Sequence, residues 1–428
     1  MTWLQLPKTL PLKSKSDDWQ VIGLVGNGRT IYGCMALVLV ATTLFARFGI
    51  NLGNYSLDFA LVALYILLAA LLYSGRSAID ESMALLYVAA MGVAALSLVV
   101  NDGLSSVDRS SPSSLLLLAA IYLPFVVTLP AQGPQWPEQH RILGTFSNIA
   151  LICALAGIVQ FYLQFVIKQP WLFDFTPWIP EALQGPSGYN TVIEVGDLYK
   201  SNGFFLREPS GFSFVVALAI IIELTSTRRW WRIATFGFAL LLTYSGTGVL
   251  ALIIGLAFPI SRKSILRLAV LGAVAFLLLV VLGDALNLSV TANRVTEVES
   301  DRSSAYIRYI APMSVVLGSI DTDPWSALLG HGPGSIQRTT QGFEFFDPTW
   351  AKLIFEYGVA GVGIFTAMIL CALHRSPIKF QLKAVLFGSW LLMGGHLLSP
   401  ENVSTLYVLA AVWRPVAGHS QQGRGHRA

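Results

Sequence analysis

Charge is what this sequence has least of. Charged residues make up 12% of its 428 positions and hydrophobic ones 54%, against about 25% and roughly 45–50% in soluble domains. So little charge cannot clothe a soluble protein of this size. A soluble enzyme, a disordered chain and a free nucleic-acid binder are excluded, and most of the surface must face lipid. Cysteine is nearly absent too. Cys34, Cys153 and Cys371 fall in or beside apolar runs, which supports neither a disulfide framework nor a cysteine metal site. Short-period alternation is missing: the apolar runs are long and continuous, which argues against a β-barrel. No internal repeat is visible at the level of motifs, which weakens an inverted-repeat transporter. Residues 1–30 are polar, so the first apolar run is not the core of a cleavable signal peptide.

What is present is a series of apolar runs. A membrane helix needs about 20 mostly apolar residues, and about twelve spans are predicted, at 31–48, 57–74, 83–100, 112–130, 146–167, 204–225, 230–244, 246–261, 264–284, 350–372, 380–398 and 402–416. The fold class is therefore an all-α polytopic membrane protein. Basic residues fix the orientation, because cytoplasmic loops collect Lys and Arg. With the N-terminus inside, most of the basic residues fall on the cytoplasmic side. Two short loops there, around Arg228, Arg229 and Arg232 and around Arg262, Lys263 and Arg267, are almost purely basic. An even number of spans puts both termini inside. The chain then divides into a cytoplasmic segment (1–30), N-terminal membrane helices (31–167), an outer loop (168–204), central membrane helices (204–284), a large outer loop (285–349), C-terminal membrane helices (350–416) and a cytoplasmic tail (417–428).

The two long loops emerge on the same outer side, and long loops are where function concentrates. They hold or adjoin Lys200, Arg207, Arg294, Arg302, Arg308, Arg338 and Lys352, against the positive-inside trend. Guanidinium grips phosphate through two parallel hydrogen bonds, so the cluster reads either as a site for a lipid-linked diphosphate or as a solvated loop neutralised by Glu297, Glu299 and Asp301. Arg207, Glu208 and Pro209 sit at the mouth of the sixth span, where an acid and a proline also suit a plain helix start. The turn Gly330-His331-Gly332-Pro333-Gly334 reads as an anion nest or as an ordinary turn. His331 is a candidate base or a structural histidine. Asp347, before the tenth span, is either an N-cap or a functional acid. Glu356 lies inside an apolar run, which makes it a functional candidate or a buried partner for Lys352 or a tyrosine. No His, Asp and Glu set on the outer side has metal-ligand spacing; Asp321 and Asp323 stand alone.

Taken in order, these segments resemble a family. Gly203-Phe204-Phe205-Leu206-Arg207-Glu208-Pro209-Ser210 is followed by Leu242-Thr243-Tyr244-Ser245-Gly246-Thr247-Gly248. Then come Ser303-Ser304 with Arg308, Leu329-Gly330-His331-Gly332-Pro333-Gly334-Ser335, and Glu356-Tyr357-Gly358-Val359-Ala360-Gly361. Over roughly residues 200–370 the pattern is similar to the O-antigen ligase and polymerase superfamily, comprising Wzy-type polysaccharide polymerases and lipopolysaccharide O-antigen ligases. The resemblance implies a bacterial inner-membrane, metal-independent glycosyltransferase of the GT-C type, with a periplasmic active site and no cofactor. Its substrate would be an undecaprenyl-diphosphate-linked oligosaccharide, and a chain-length regulator and a flippase would be its partners. Where ligases carry an Arg before the first Gly of their motif, this chain has Lys200. Their Ser-Arg pair is Ser245-Gly246 here, and their His-Asn pair is Asp347-Pro348. The departures suit an exopolysaccharide or O-antigen polymerase better than a ligase. The resemblance implies Arg207 and Arg308 at the leaving diphosphate, with Lys200, Arg294, Arg302 and Arg338 as further phosphate contacts. Asp347 is the first candidate base, followed by His331 and Glu208. A ligase acting on lipid A core and a non-enzymatic transporter of lipid-linked glycan remain the alternatives.

Overall fold

The structure is a computed structural model that describes residues 28–53, 56–104, 110–131, 137–167, 169–186, 191–282, 306–322, 326–339 and 347–415. Helices dominate. In chain order they are α1 (Gly28–Thr43), α2 (Phe59–Tyr73), α3 (Glu81–Leu104), α4 (Pro112–Tyr122), α5 (Pro137–Leu163), α6 (Pro209–Ile222), α7 (Trp230–Leu241), α8 (Gly246–Ala257), α9 (Arg262–Leu282), α10 (Ala311–Thr322), α11 (Ser326–Leu329), α12 (Ser335–Thr339), α13 (Thr349–Arg375), α14 (Phe380–Leu392) and α15 (Pro400–Leu406). Each predicted span overlaps one of these helices, but 112–130 and 402–416 run past α4 and α15 into extended backbone. Four stretches are long and apolar enough to cross a membrane: Glu81–Asn101, Glu138–Leu163, Pro209–Thr227 and Thr349–Arg375. Others, such as α1, α2 and α8, are apolar but shorter.

Sequence explains where many helices begin. Asp58 caps α2 by accepting from the Ala60 amide at 2.8 Å. Ser111 precedes Pro112 at the start of α4, Ser245 caps α8, and Ser399 precedes Pro400 at the start of α15. A small polar cap followed by proline satisfies the first turn without needing its amide. Burial then sorts the helices. Nearly every side chain of α6 is buried, and it packs on α5, α7, α8 and α14. A helix apolar all round belongs at the centre of a bundle. By contrast, α3 turns Leu85, Val88 and Val99 outward, and apolar side chains on an outer surface suit a lipid solvent.

Small strands depart from the all-α expectation. β1 (Gly49–Asn51) and β2 (Ser56–Asp58) form a hairpin, β3 (Ala78–Ile79), β4 (Val127–Ala131) and β7 (Trp413–Pro415) a three-stranded sheet, and β5 (Glu194–Val195) and β6 (Leu198–Tyr199) a second hairpin. All lie in connections, where the backbone has no helix to satisfy its amides. β4 pairs parallel with β7, Leu129 facing Trp413.

Ion pairs mark the two ends of the bundle. Asp58 precedes α2 and Asp80 follows it; Asp347 precedes α13 and Arg375 ends it; Glu401 opens α15 and Arg414 lies beyond it. Asp80 joins Arg375 at 2.7 Å and Arg414 at 2.8 Å. At the other end Arg207 joins Asp58 and Glu401. In each of these three stretches the chain passes from one charged cluster to the other.

Candidate active site

The segment 201–208 is held from both sides before it reaches Arg207. The Ser201 hydroxyl donates to Gln160 Oε1 at 3.0 Å, Gln160 Nε2 donates to Asn202 Oδ1 at 2.9 Å, and Asn202 Nδ2 donates to the Phe173 carbonyl at 2.8 Å. Gly203 and Phe204 both turn with positive φ, 70° and 65°. Arg47 then grips the next carbonyl, that of Leu206, through Nε at 3.1 Å and a terminal nitrogen at 2.8 Å. Arg47 also pairs with Asp174 at 3.0 Å and lies over the Phe175 ring. Burial alone would raise the Asp174 pKa; hydrogen bonds from Thr176 and Thr191 and the charge of Arg47 outweigh it and hold the carboxyl below its usual range.

Arg207 emerges from this frame nearly buried. One terminal nitrogen lies 2.6 Å from Asp58 Oδ2, and the other contacts Glu401 Oε1. Both acids are anchored in turn. Asp58 caps α2 through its second oxygen, and Glu401 Oε2 accepts from the Ser399 hydroxyl at 2.8 Å. Next along the chain, Glu208 is the N-cap residue of α6, yet its side chain makes no capping bond. Its carboxylate accepts from the Ser210 hydroxyl at 2.9 Å.

These groups open on a cavity of about 370 Å³. Its wall includes Arg207, Glu208, Asp347, His396 and Glu401, with Thr42 and Thr43 from α1 and Thr247 from the turn into α8. That turn is fastened to α6: the Ser213 hydroxyl donates to Ser245 Oγ at 3.2 Å and accepts from the Gly248 amide at 3.1 Å. Arg207 and Glu208 belong to one sequence motif and Asp347 to another, and all three share this one cavity.

Asp347 is not a helix cap. Pro348 holds the N-cap position of α13, with no side-chain capping bond. The Asp347 carboxylate instead accepts from Lys352 Nζ at 2.6 Å, and Gln337 Nε2 lies 3.5 Å from the same oxygen, Oδ2. Its carbonyl accepts from the Gly395 amide at 3.0 Å, which ties it to the loop carrying His396. Lys352 is buried and also lies 3.7 Å from Glu356, one turn further into the helix. Glu356 is fully buried and outside the cavity wall, so it takes the place of buried partner to Lys352 that the sequence offered as one of its two readings.

The glycine-rich turn has a mechanical role. The His331 amide donates to the Phe355 carbonyl at 2.8 Å and the Gly332 amide to the Glu356 carbonyl at 3.0 Å, so these two amides are taken up by the backbone of α13. They dock where α13 breaks at Gly358 (φ 63°, ψ −166°). A Cβ on Gly330 would stand 2.2 Å from the Glu356 carbonyl carbon, and one on Gly358 2.3 Å from that of Leu328. Two glycines thus allow turn and kink to touch. Ser97 and Asn101 of α3 bind the same junction. His331 Nε2 lies 2.5 Å from the Ser319 hydroxyl, and the ring rests on Phe355, outside the cavity wall.

The other expected residues are dispersed. Lys200 is buried beside the β5–β6 hairpin, its amide donating to Ile193. Arg338 donates to the Ser110 carbonyl at 2.6 Å. Neither lines the cavity. Arg294 and Arg302 lie outside the described residues, as does the side chain of Arg308. Asp58, Glu401, Gln337 and His396, none of them in a motif read from the sequence, also belong to this site. The one available signal was position: Asp58 and Glu401 are lone acids at the starts of apolar runs.

The fold and cavity define a helical membrane protein with a buried, charged site at one end of its bundle. The family model described as WcaD colanic acid polymerase matches residues 34–415, and the chain belongs to that family. No curated protein and no solved structure matches it. Membership makes the chain a polysaccharide polymerase, an activity of glycosyltransferase type.

Proposed function

We propose that this polymerase elongates a bacterial exopolysaccharide at the periplasmic face of the inner membrane. It would take the growing glycan from undecaprenyl diphosphate and pass it to the sugar end of another lipid-linked repeat unit. The family's description, colanic acid polymerase, favours an exopolysaccharide over O-antigen as the product. The twelve-span GT-C-like arrangement and both cytoplasmic termini belong to the same reading, as do a flippase that delivers repeat units and a chain-length regulator. The observation that carries the mechanism is the shared cavity of Arg207, Glu208 and Asp347. Ligase chemistry fits less well, because Gly246 and Asp347 replace the Arg and His that the resemblance assigns to ligases.

The reaction is a single displacement. The acceptor hydroxyl attacks the anomeric carbon, the bond from that carbon to the diphosphate oxygen breaks, and its electron pair leaves with undecaprenyl diphosphate. Configuration at the anomeric carbon inverts. Charge develops on the leaving oxygen, so a guanidinium already in place lowers the barrier there. Arg207 supplies it from the cavity wall, and Arg308, with Arg294 and Arg302, supplies the remaining phosphate contacts. The hydroxyl proton goes to Asp347, which Lys352 holds by one oxygen. General bases of this kind contribute typically about 10²–10⁴-fold. Glu208, on the same wall, is the second candidate.

A deletion strain complemented with the wild-type gene should regain polymer. Arg207→Ala and Arg308→Ala should reach the membrane at normal levels yet give none, and Lys at either position should rescue only in part, because the planar fork is lost. Normal polymer from both alanine variants would remove the assignment.

A further inference from the structure

Arg207 carries one positive charge, and two carboxylates touch it. Asp58 Oδ2 lies 2.6 Å from one terminal nitrogen, and Glu401 Oε1 contacts the other. Neutralising a buried guanidinium needs only one carboxylate. The two acids also hydrogen-bond to each other, which takes a proton shared between them, so the pair supplies one negative charge and the second acid adds none. Its presence calls for a benefit other than charge balance.

Geometry supplies one. Asp58 belongs to β2 and caps α2 with its other oxygen. Glu401 sits in the first turn of α15 and receives the Ser399 hydroxyl on its other oxygen. The backbone next to Arg207 is fixed by Arg47 on the Leu206 carbonyl. The guanidinium is therefore gripped from two elements that are remote in sequence and the backbone beside it from a third, and each gripping group is itself tethered. A guanidinium has five N–H donors, more than the two carboxylates take up.

We propose that Asp58 and Glu401 are positioning residues that lock the Arg207 guanidinium in the orientation needed by the leaving diphosphate. This rests on the reading of Arg207 as a partner of that diphosphate. Preorganised donors stabilise developing charge because they need no reorientation during the reaction, and a misplacement near 1 Å can cost on the order of 100-fold.

Charge balance and positioning predict different outcomes. Asp58→Asn and Glu401→Gln each exchange one acid for an amide at nearly constant shape and leave the other acid to balance Arg207, and Asn caps a helix as well as Asp does. A site in which the acids only balance charge would therefore bind the donor and turn over as before. Positioning predicts that kcat falls by roughly 10- to 100-fold while KM for the donor is unchanged or lower. The assay uses purified full-length protein in lipid nanodiscs with undecaprenyl-diphosphate-linked repeat units. Wild type must first make polymer there; if it does not, the underlying reading fails rather than this one. Both variants are then repeated in an Arg207→Lys background, where residues that act through the guanidinium fork should add less than about twofold. Unchanged kcat in Glu401→Gln would overturn the proposal. A further tenfold loss in the lysine background would do the same. Should Asp58→Asn fail to accumulate in the membrane, Glu401→Gln, which holds no helix cap, decides the matter alone.

Discussion

Replacing Lys352 with Met would leave Glu356 in the bundle without its counter-charge. Lys352 is 2% exposed and bridges Asp347, at 2.6 Å, to the fully buried Glu356, at 3.7 Å. The Gly334 amide and the Tyr357 hydroxyl also reach the Glu356 carboxylate, but Lys352 supplies the opposite charge that makes this burial tolerable. Breaking a buried pair from one side costs about 3–5 kcal/mol. In a domain of this size, that lowers the melting temperature by on the order of 10 °C. The double variant Lys352→Met/Glu356→Gln should recover most of the loss, since a neutral pair of similar volume replaces the ion pair. Activity should not recover with it, because Asp347 still lacks the ammonium that holds its Oδ2. Detergent-solubilised protein followed by size-exclusion chromatography after heating gives the stability, and polymer yield gives the activity. A single variant that melts like wild type would refute the argument, and so would a double variant that melts like the single.

Asp347→Asn and Asp347→Ser should both reach the membrane normally and lose activity by roughly 100-fold or more; near-normal polymer from Asp347→Asn would move the base to Glu208. Gly358→Ala should destabilise strongly, since its Cβ would stand 2.3 Å from the Leu328 backbone at a φ of 63°, and the cost of positive φ alone is about 1–3 kcal/mol; heating solubilised protein measures it, and a wild-type melting temperature would contradict the docking role of the kink. Activity should persist in EDTA, because guanidinium groups are assigned the charge stabilisation that a metal supplies elsewhere; loss on chelation with recovery in Mg²⁺ or Mn²⁺ would overturn that assignment.

Much of the bundle is legible in the sequence because lipid forces it to be. A helix that must satisfy its own backbone in an apolar solvent leaves a long apolar run, and each such run has a helix in the structure. What escapes is whatever depends on contact between distant segments. Nothing in the sequence near Arg207 names Asp58 or Glu401 as its partners, and nothing near Asp80 names Arg375 or Arg414. The hairpins of β1–β2 and β5–β6 are two or three residues a strand, too short for period-2 patterning to register. Glycines at 330 and 358 read locally as a turn and as a tolerated helix residue. Only their mutual approach, at distances no Cβ permits, shows that two motifs in one family pattern are halves of one junction. For the site, Arg207, Glu208 and Asp347 are legible as charged residues at the mouths of spans. The dispersal of Lys200, Arg338 and His331 away from the cavity is not, since an excess of outward basic residues looks the same whether they converge or not.

Transfer of glycan between lipid-linked repeat units is the activity proposed for this chain. The most direct measurement supplies purified protein in nanodiscs with one undecaprenyl-diphosphate-linked repeat unit and no other acceptor, and resolves the products by gel and mass spectrometry. The expected product is a ladder that rises by one repeat per rung, with release of one undecaprenyl diphosphate for each bond formed and none from Arg207→Ala. A substrate that remains a single repeat unit, or that is consumed only when lipid A core is added, would contradict it.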